Sequence, residues 1–181
     1  MEFKPLATSR LDLIRITESY TEDFFAIMSR EEVTTYYGLE ALTSVNDAKK
    51  IVQSFEKTRQ IGKGMRWGII VKESNTFIGT IGLNQLNMAH KRAEVGFELH
   101  PDYWRKRYMT EALHAIIDYS FRDLDLHRLG AVTFLENKAS IQLLVSLGFQ
   151  KEGILRDYLF QRKQSHDANV FSLIQKEWAH K

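Results

Sequence analysis

Polar and apolar residues alternate along several stretches of the chain, which is the pattern of half-buried β-strands. In the first stretch, Leu11, Leu13 and Ile16 supply the apolar face. From Trp67 onward the period changes from helical to extended, and three successive stretches predict an antiparallel meander. The predicted strands begin near residue 11 and then cover residues 67–71, 77–83, 92–100, 128–135, 149–155 and 168–177.

Helical periods and capping residues predict four helices between these strands. Ser19 is the predicted N-cap of the first helix and Asn46 that of the second. Gly148 and Phe149 predict a Schellman cap at the end of the last helix. After the first helix, the predicted helices cover about residues 46–60, 110–123 and 137–147.

These elements predict a single α+β domain over residues 1–181. An apolar fraction of 44% is typical of a globular chain, and the net charge of +2 is too small for a protein whose main partner is nucleic acid. The chain has no cysteine, which excludes disulfides and a cysteine nucleophile. No stretch approaches roughly eighteen consecutive apolar residues, and no signal-peptide core is present. We therefore expect a cytoplasmic protein without a membrane or direct nucleic-acid role.

Residues 94–113 join a strand, through a basic turn, to an amphipathic helix. The first turn of a helix leaves backbone N–H groups without partners, and the helix dipole makes this end positive. The stretch therefore predicts an anion site. Arg105, Lys106 and Arg107 oppose the dipole by about 0.3–1 kcal/mol each unless an anion is bound. The alternative is a solvated basic turn without a ligand.

The strand before this turn carries two candidate general bases. Alternation puts Glu94, Glu98 and His100 on one face. A carboxylate beside an anion site can accept a proton during a reaction. The alternative is a strand whose polar face only contacts water. Gly96 indicates a β-bulge or a close backbone approach, and a bulge would change the face on which Glu98 lies.

Two polar residues open the later helix. Asn137 and Ser140 are candidate ligand-binding residues, although Asn137 is also a common N-cap and Ser140 can satisfy an early backbone group. A structural role is therefore the alternative for both. The six histidines are scattered without the helical spacing of a metal site, so no metal is predicted.

Five segments of the chain, in order and spacing, carry a family resemblance. They are T-S-R-L-D-L-I-R at 8–15, F-I-G-T-I-G-L at 77–83, A-E-V-G-F-E-L at 93–99, Y-W-R-K-R-Y-M-T-E-A-L at 103–113 and N-K-A-S-I-Q-L-L-V-S-L-G-F-Q-K-E-G at 137–153. Together they resemble the GNAT superfamily of acyl-CoA-dependent N-acetyltransferases, in its RimJ/RimL-like branch of ribosomal-protein N-terminal acetyltransferases. The resemblance implies a mixed, mostly antiparallel sheet of six or seven strands flanked by about four helices.

The resemblance implies acetyl-CoA as cosubstrate, with its pyrophosphate held on main-chain amides of the turn. The family pattern Q/R-x-x-G-x-G/A falls on Trp104, Arg107 and Met109, so large side chains occupy both small-residue positions. Backbone donation survives such substitutions wherever φ need not be positive, so we expect binding to persist with altered contacts. The implied cosubstrate contacts are Leu99, Trp104, Arg105, Lys106, Arg107, Tyr108, Met109, Thr110, Asn137 and Ser140.

The resemblance also implies the catalytic groups. Many relatives carry a tyrosine that protonates the leaving thiolate, whereas this chain has Leu144, which leaves Ser140 as the nearest candidate donor. Glu94 or Glu98 is the candidate base, acting through water, and a backbone N–H of the bulged strand polarises the thioester carbonyl. The amine attacks directly in a ternary complex, without a covalent enzyme intermediate.

The implied acceptor is a primary amine, either a protein N-terminus, including that of a ribosomal protein, or a small amine. An α-amine, with a pKa of about 7.7–8.0, loses its proton more readily than a lysine side chain near 10.4. A monomer or a homodimer is expected. Two alternatives stay open: a catalytically weak CoA-binding module, and a ribosome-associated or RNA accessory factor suggested by the basic turn.

Overall fold

The computed structural model describes residues 2–178, so Met1 and residues 179–181 of the predicted domain lie outside the described residues. The strands are β1 (Leu6–Ala7), β2 (Leu11–Arg15), β3 (Met65–Val71), β4 (Thr76–Asn87), β5 (Arg92–Leu99), β6 (Arg128–Phe134), β7 (Gln150–Gln161) and β8 (Gln164–Ile174). The α-helices are α1 (Thr21–Met28), α2 (Glu31–Thr34), α3 (Val45–Gln60), α4 (Tyr108–Asp118), α5 (Lys138–Ser146) and α6 (Gln175–Trp178).

The strands form one mixed sheet in the order β1-β2-β3-β4-β5-β6-β8-β7. Every neighbouring pair is antiparallel except β5 and β6. The predicted α+β fold with a mostly antiparallel sheet is confirmed. The sheet has one strand more than predicted, because the two-residue β1 is too short to show an alternating pattern. The four-residue helices α2 and α6 were missed for the same reason.

Helices cover both faces of the sheet. Consecutive side chains of a strand point to opposite faces, and Ile69 and Ile70 of β3 therefore mark the two sides. Ile69 belongs to a buried cluster with Leu113 of α4, whereas Ile70 belongs to a separate cluster with Phe24 of α1 and Val52 of α3. The sheet is thus enclosed between α4 on one face and α1 with α3 on the other.

Both predicted N-caps at the start of the chain are wrong. Ser19 lies in a short 3-10 turn, and α1 starts after it without a side-chain cap. The second cap is Ser44, whose Oγ accepts a hydrogen bond from the N–H of Asp47 at 3.2 Å, while Asn46 lies inside the first turn of α3. Several residues in each segment have capping side chains, and the packing of the helix decides which one begins it.

The predicted Schellman cap after α5 is confirmed. Gly148 has a φ of +92°, and its N–H donates to the carbonyl of Val145 at 3.0 Å. The N–H of Phe149 donates to the carbonyl of Leu144 at 3.0 Å. These two bonds define the motif, and they turn the chain directly into β7.

The last hairpin is much longer than predicted. β7 and β8 meet at a two-residue turn, where Arg162 and Lys163 have φ values of 52° and 59°, as in a type I′ hairpin. The added length was missed because most of β7 is exposed and its outer part has no apolar alternation. The predicted extension of the last strand to Glu177 is wrong, since β8 ends at Ile174 and α6 follows.

Candidate active site

β5 and β6 are neighbours in the sheet, yet they pair over only three residues each. Residues 92–94 pair in parallel with residues 128–130, and no further pairs follow. A cleft of about 1180 Å³ opens where the strands separate. Tyr108 of α4 and Phe24 of α1, from opposite faces of the sheet, both line it. The cleft therefore passes through the sheet and is large enough for a cofactor-sized ligand.

The separation leaves backbone groups of β5 free to contact a ligand. The N–H of His100, just after β5, donates to the carbonyl of Ile78 at 2.8 Å, on the β4 side. Backbone groups alternate along a strand, so those of Phe97 and Leu99 face the gap toward β6. The carbonyl of Leu99 accepts a hydrogen bond from Trp104 Nε1 at 2.7 Å. The N–H groups of Phe97 and Leu99 are thus the backbone donors of β5 that face the cleft.

The turn between β5 and α4 presents a series of unpaired donors. Within the described part of the chain, no protein group accepts a hydrogen bond from the backbone N–H groups of residues 105–110. Arg105 and Arg107 have φ values of 59° and 62°, and left-handed residues at alternate positions direct successive N–H groups toward a common point. With the positive end of α4, this arrangement suits an anion such as a pyrophosphate.

The two large residues at the small-residue positions behave differently. Met109 is 7% exposed and packs in the core, so its side chain does not cover the backbone donors. Arg107 is exposed and adopts the left-handed conformation that glycine would adopt without strain. The site therefore does require a positive φ at this position. The arginine accepts it at a cost of about 1–2 kcal/mol.

Glu111, in the first turns of α4, fixes the turn to the N-terminal segment. Its carboxylate accepts hydrogen bonds from the Thr8 hydroxyl, from Ser9 Oγ at 3.0 Å, and from the backbone N–H and Nε of Arg10 at 2.8 and 2.7 Å. Burial opposes ionisation, but the donors on Thr8, Arg10 and Ser9 outweigh it and lower the pKa of Glu111 to about 2. Arg10 also donates to the carbonyl of Lys106 at 3.2 Å. The carboxylate stays ionised and supports the turn from behind.

The N-terminus of α5 borders the cleft on the other side of the gap. Asn137 is its N-cap, and its side-chain carbonyl accepts from the N–H of Ser140 at 3.1 Å. The predicted cap role of Asn137 is therefore confirmed. Its amide Nδ2 has no hydrogen-bond partner among the described residues. Ser140 is half-buried and lines the cleft one helical turn before Leu144, which is buried. Both polar groups can donate to a ligand in the gap.

Glu94 is the last residue of β5 that pairs with β6, so it lies directly at the start of the gap. Its side chain is half-buried and lines the cleft, and Gln85 Nε2 donates to Oε2 at 3.1 Å. Burial raises the pKa of Glu94 above its ordinary value, against the opposing effect of Arg92 and Arg128. Gly130 stands opposite, where an added Cβ would lie 3.2 Å from Glu94 Cγ. The missing side chain at Gly130 leaves room for this carboxylate.

Glu98 is in a very different environment. Its side chain is 1% exposed and forms an ion pair with Arg66, which is 6% exposed. Thr80 Oγ1 donates to one carboxylate oxygen, and the Tyr37 hydroxyl donates to the other at 2.6 Å. The Arg66 guanidinium also donates to Thr80 Oγ1 at 2.7 Å and to the Tyr37 hydroxyl at 3.0 Å. Both carboxylate oxygens of Glu98 therefore already accept hydrogen bonds from protein side chains.

Gly96 does not form the bulge that was considered for it. Pairing between β4 and β5 is regular from Gly79 with Leu99 through the pair formed by Asn84 and Glu94. A Cβ at Gly96 would lie 2.6 Å from Asn84 Nδ2, so this glycine permits a close approach. The irregularity falls instead after Asn84 on β4. Glu94 and Glu98 consequently stay on the same face, as the alternation predicted.

The face of the cleft under α1 has an aromatic wall. We call residues 35–44, between α2 and α3, the acceptor loop; its Tyr36, Tyr37 and Leu39 line this half together with Phe55 of α3. Glu32 and Glu94 add carboxylates, and Arg66, the one cation of this half among the described residues, is paired with Glu98.

These features fit an acyl-CoA ligand, with free amides at the turn, donors at α5 and free strand edges between them. The Acetyltransferase (GNAT) domain model matches residues 10–150. The chain belongs to the GNAT family of N-acetyltransferases. It is 43% identical over 172 residues to an uncharacterized N-acetyltransferase, YoaA, of Bacillus subtilis (strain 168), covering 95% of this chain and 97% of YoaA.

The uncharacterized N-acetyltransferase p20 of Bacillus licheniformis is 38% identical over 174 residues, which cover 96% of this chain and 98% of p20. The solved structure of RimL, a ribosomal L7/L12 alpha-N-protein acetyltransferase in complex with coenzyme A, has a TM-score of 0.85 at 20% identity. That match covers 94% of this chain and 98% of RimL. The predicted GNAT-type N-acetyltransferase is confirmed, and acetyl-CoA is the acyl donor of such acetyltransferases.

The described residues of this acetyltransferase contain no group of three or more His, Cys, Asp or Glu side chains that could hold a metal ion. No helix in the same part of the chain is long and apolar enough to cross a membrane.

The cleft brings together every predicted site residue except Lys106. Lys106 lies in the turn, but its ammonium group stands 5.4 Å from the centre of the Tyr103 ring. Sequence reasoning missed Arg66, Tyr37 and Gln161, which shape the acceptor half. Their side-chain hydrogen-bond partners lie 14 to 127 positions away along the chain, so no local pattern could have indicated them.

Proposed function

We propose that this acetyltransferase transfers the acetyl group to the α-amine of a peptide or protein N-terminus, by direct attack within one ternary complex. The observation that carries the proposal is the continuous cleft. It joins the free amides of residues 105–110 on one face of the sheet to Glu94 and the acceptor loop on the other. Donor and acceptor can therefore meet at the gap between β5 and β6.

On the donor side, the protein supplies hydrogen-bond donors at three places. The amides of residues 105–110 bind the pyrophosphate, and Asn137 Nδ2 donates to the pantetheine arm. Acetyl-CoA contributes the thioester, whose carbonyl oxygen gains negative charge during attack. The N–H of Phe97 or Leu99, facing the gap, stabilises that charge.

Glu94 is the proposed general base. An amine attacks only in its neutral form, and a carboxylate with a raised pKa is a better proton acceptor than an ordinary one. Glu94 takes the proton from the amine through water. Glu98 is assigned a positioning role, because its carboxylate is already occupied by Arg66, Thr80 and Tyr37.

Ser140 is the proposed donor to the leaving sulfur. Its hydroxyl has no hydrogen-bond partner in the described structure and lines the same cleft as Glu94. Leu144, one turn later, has no proton to give. Replacing Ser140 with alanine should lower kcat while the dissociation constant of CoA stays within about twofold, and an unchanged kcat would remove Ser140 from this role.

An α-amine is the favoured acceptor because its pKa, about 7.7–8.0, leaves a substantial neutral fraction near pH 7. RimL is a ribosomal L7/L12 alpha-N-protein acetyltransferase, and the likeness to it supports the same acceptor class. A small polycationic amine is the second candidate. It is favoured by Glu32 and Glu94 in the acceptor half, where Arg66 is already paired.

The test is thiol release from acetyl-CoA over a panel of peptides, including ribosomal-protein N-termini, and of polyamines. We expect turnover with peptides, and Glu94→Gln should lower kcat by about 10²- to 10⁴-fold and remove the acidic limb of the pH profile. Glu22→Gln, an exposed carboxylate on α1, is the matched control. Tight CoA binding without turnover on any amine would favour the weak CoA-binding module instead.

A further inference from the structure

The tip of the β7–β8 hairpin reaches the acceptor loop through one side chain. Gln161 is 5% exposed, although it stands beside the exposed turn. Its Nε2 donates to the carbonyls of Thr34 at 2.8 Å and Leu39 at 2.7 Å. Its Oε1 accepts from the N–H of Gly38 at 3.2 Å. The amide thus satisfies three backbone groups within or next to the acceptor loop.

The loop is also held from the sheet side. The Tyr37 hydroxyl donates to Glu98 and accepts from Arg66. Burial raises the pKa of Tyr37, with Arg66 opposing and Glu98 reinforcing this effect, so the hydroxyl keeps its proton. At the hairpin, the N–H of Arg162 donates to Glu40 Oε1 at 2.8 Å. The acceptor loop is therefore fixed between the buried ion pair and the hairpin tip.

The loop forms few hydrogen bonds of its own. Helix α2 ends at Thr34, just before the loop. The described backbone hydrogen bonds that reach into the loop include Tyr37 N–H to Thr34 O at 3.1 Å and Leu42 N–H to Met28 O at 2.9 Å. Between these points the chain is held by the side chain of Gln161, at Gly38 and Leu39, and by the bond from Arg162 to Glu40. Tyr36, Tyr37 and Leu39 line the cleft along this same path.

The chemistry at position 161 is specific. An amide supplies two donors and one acceptor in one plane, and the loop offers two carbonyls and one N–H. A methionine has nearly the same length but cannot donate, and a glutamate would turn a negative charge toward the carbonyls of Thr34 and Leu39. Each change leaves buried backbone groups unsatisfied, which the loop can relieve only by moving.

We propose that Gln161 is a positioning residue that sets acceptor specificity by fixing the acceptor-loop wall of the cleft. The proposal rests on the proposed amine acetyltransfer, because specificity is read as a preference among amines. Gln161 touches no part of the phosphate turn at residues 105–110. Its loss should therefore change the acceptor half of the cleft and leave the CoA half intact.

The test compares the wild type with Gln161→Met, Gln161→Glu and the control Gln164→Ala, an exposed residue paired with Gln161 across the same turn. Amide hydrogen exchange over residues 35–40 should become faster in both Gln161 variants and stay unchanged in the control. The KM for the preferred acceptor should rise about tenfold, and the ratio of kcat/KM between acceptors should fall. The dissociation constant of CoA should stay within about twofold.

Three results separate the possible failures. A wild type that acetylates no amine would refute the proposed function. A wild type with turnover whose Gln161→Met variant keeps its acceptor ratios and its loop protection would refute only the role of Gln161. A parallel loss of CoA affinity and melting temperature would show a general effect on stability and would also overturn the positioning role.

Discussion

Replacing Glu111 with glutamine should weaken the contact between the N-terminal segment and the turn of residues 105–110. Folding lowers the pKa of Glu111 from 4.5 to about 2, because the donors of Thr8, Arg10 and Ser9 outweigh the effect of burial. At about 1.4 kcal/mol per pKa unit, the shift corresponds to about 3 kcal/mol. Solvent reaches the edge of the carboxylate, and glutamine keeps one acceptor oxygen. We therefore expect the free energy of unfolding to fall by about 1–3 kcal/mol at pH 7.

The pH dependence identifies the cause. A carboxyl whose pKa is lowered on folding stabilises the protein fully above its unfolded pKa of 4.5, and this contribution is lost as the pH falls through about 2. Glutamine does not titrate. The difference between wild type and Glu111→Gln should therefore shrink to roughly half at pH 3.

Urea unfolding at pH 7 and pH 3, followed by tryptophan fluorescence, measures this difference. Glu73→Gln is the control, since Glu73 is exposed in the β3–β4 turn and has no hydrogen-bond partner among the described residues. It should change stability by less than about 0.5 kcal/mol at either pH. An effect of Glu111→Gln that is equal at both pH values would refute the electrostatic reasoning.

Three other substitutions test separate features. Arg107→Gly should raise the free energy of unfolding by about 0.5–1 kcal/mol in thermal melts, because glycine adopts the positive φ without strain; a loss would contradict this. Arg66→Met should cost about 3–5 kcal/mol by leaving Glu98 buried and unpaired, and adding Glu98→Met should restore at least half; no recovery would exclude the ion pair as the cause. Gly79→Ala should lower stability by more than about 2 kcal/mol, since its Cβ would overlap the Glu98 carbonyl, whereas Gly153→Ala should not.

Periodic patterns of apolar residues, together with glycine and capping residues, predicted most of the fold. Alternation located β3, β5 and β6 within two residues at each end, because each has a buried face, whereas β4 continues four residues past the predicted end at Leu83. Gly148 indicated the end of α5, because its cap depends on neighbouring residues only. The outer half of the last hairpin has no buried face to impose alternation, so its length was missed. The cap of α3 was placed at Asn46 instead of Ser44, since local sequence permits both and packing chooses one.

In the candidate site, too, features formed by one continuous segment were predictable, and features formed by residues distant in the sequence were not. The turn and the α5 N-terminus are continuous segments, and sequence reasoning identified both. The different environments of Glu94 and Glu98 were not predictable, because they depend on Arg66 and Gly130, which other strands bring into place. The direction of the Met109 side chain was likewise decided by the core under α4.

The short parallel pairing of residues 92–94 with 128–130 divides the sheet into two panels, β1–β5 and β6–β8. A bound cosubstrate would contact both panels and supply interactions that the missing ladder does not. Binding should therefore restrain the relative motion of the panels as well as fill a site. The backbone amides of Phe97 and Leu99, which face the gap, should exchange with solvent more slowly when CoA is bound. A cosubstrate bound in the gap would thus complete the middle of the sheet.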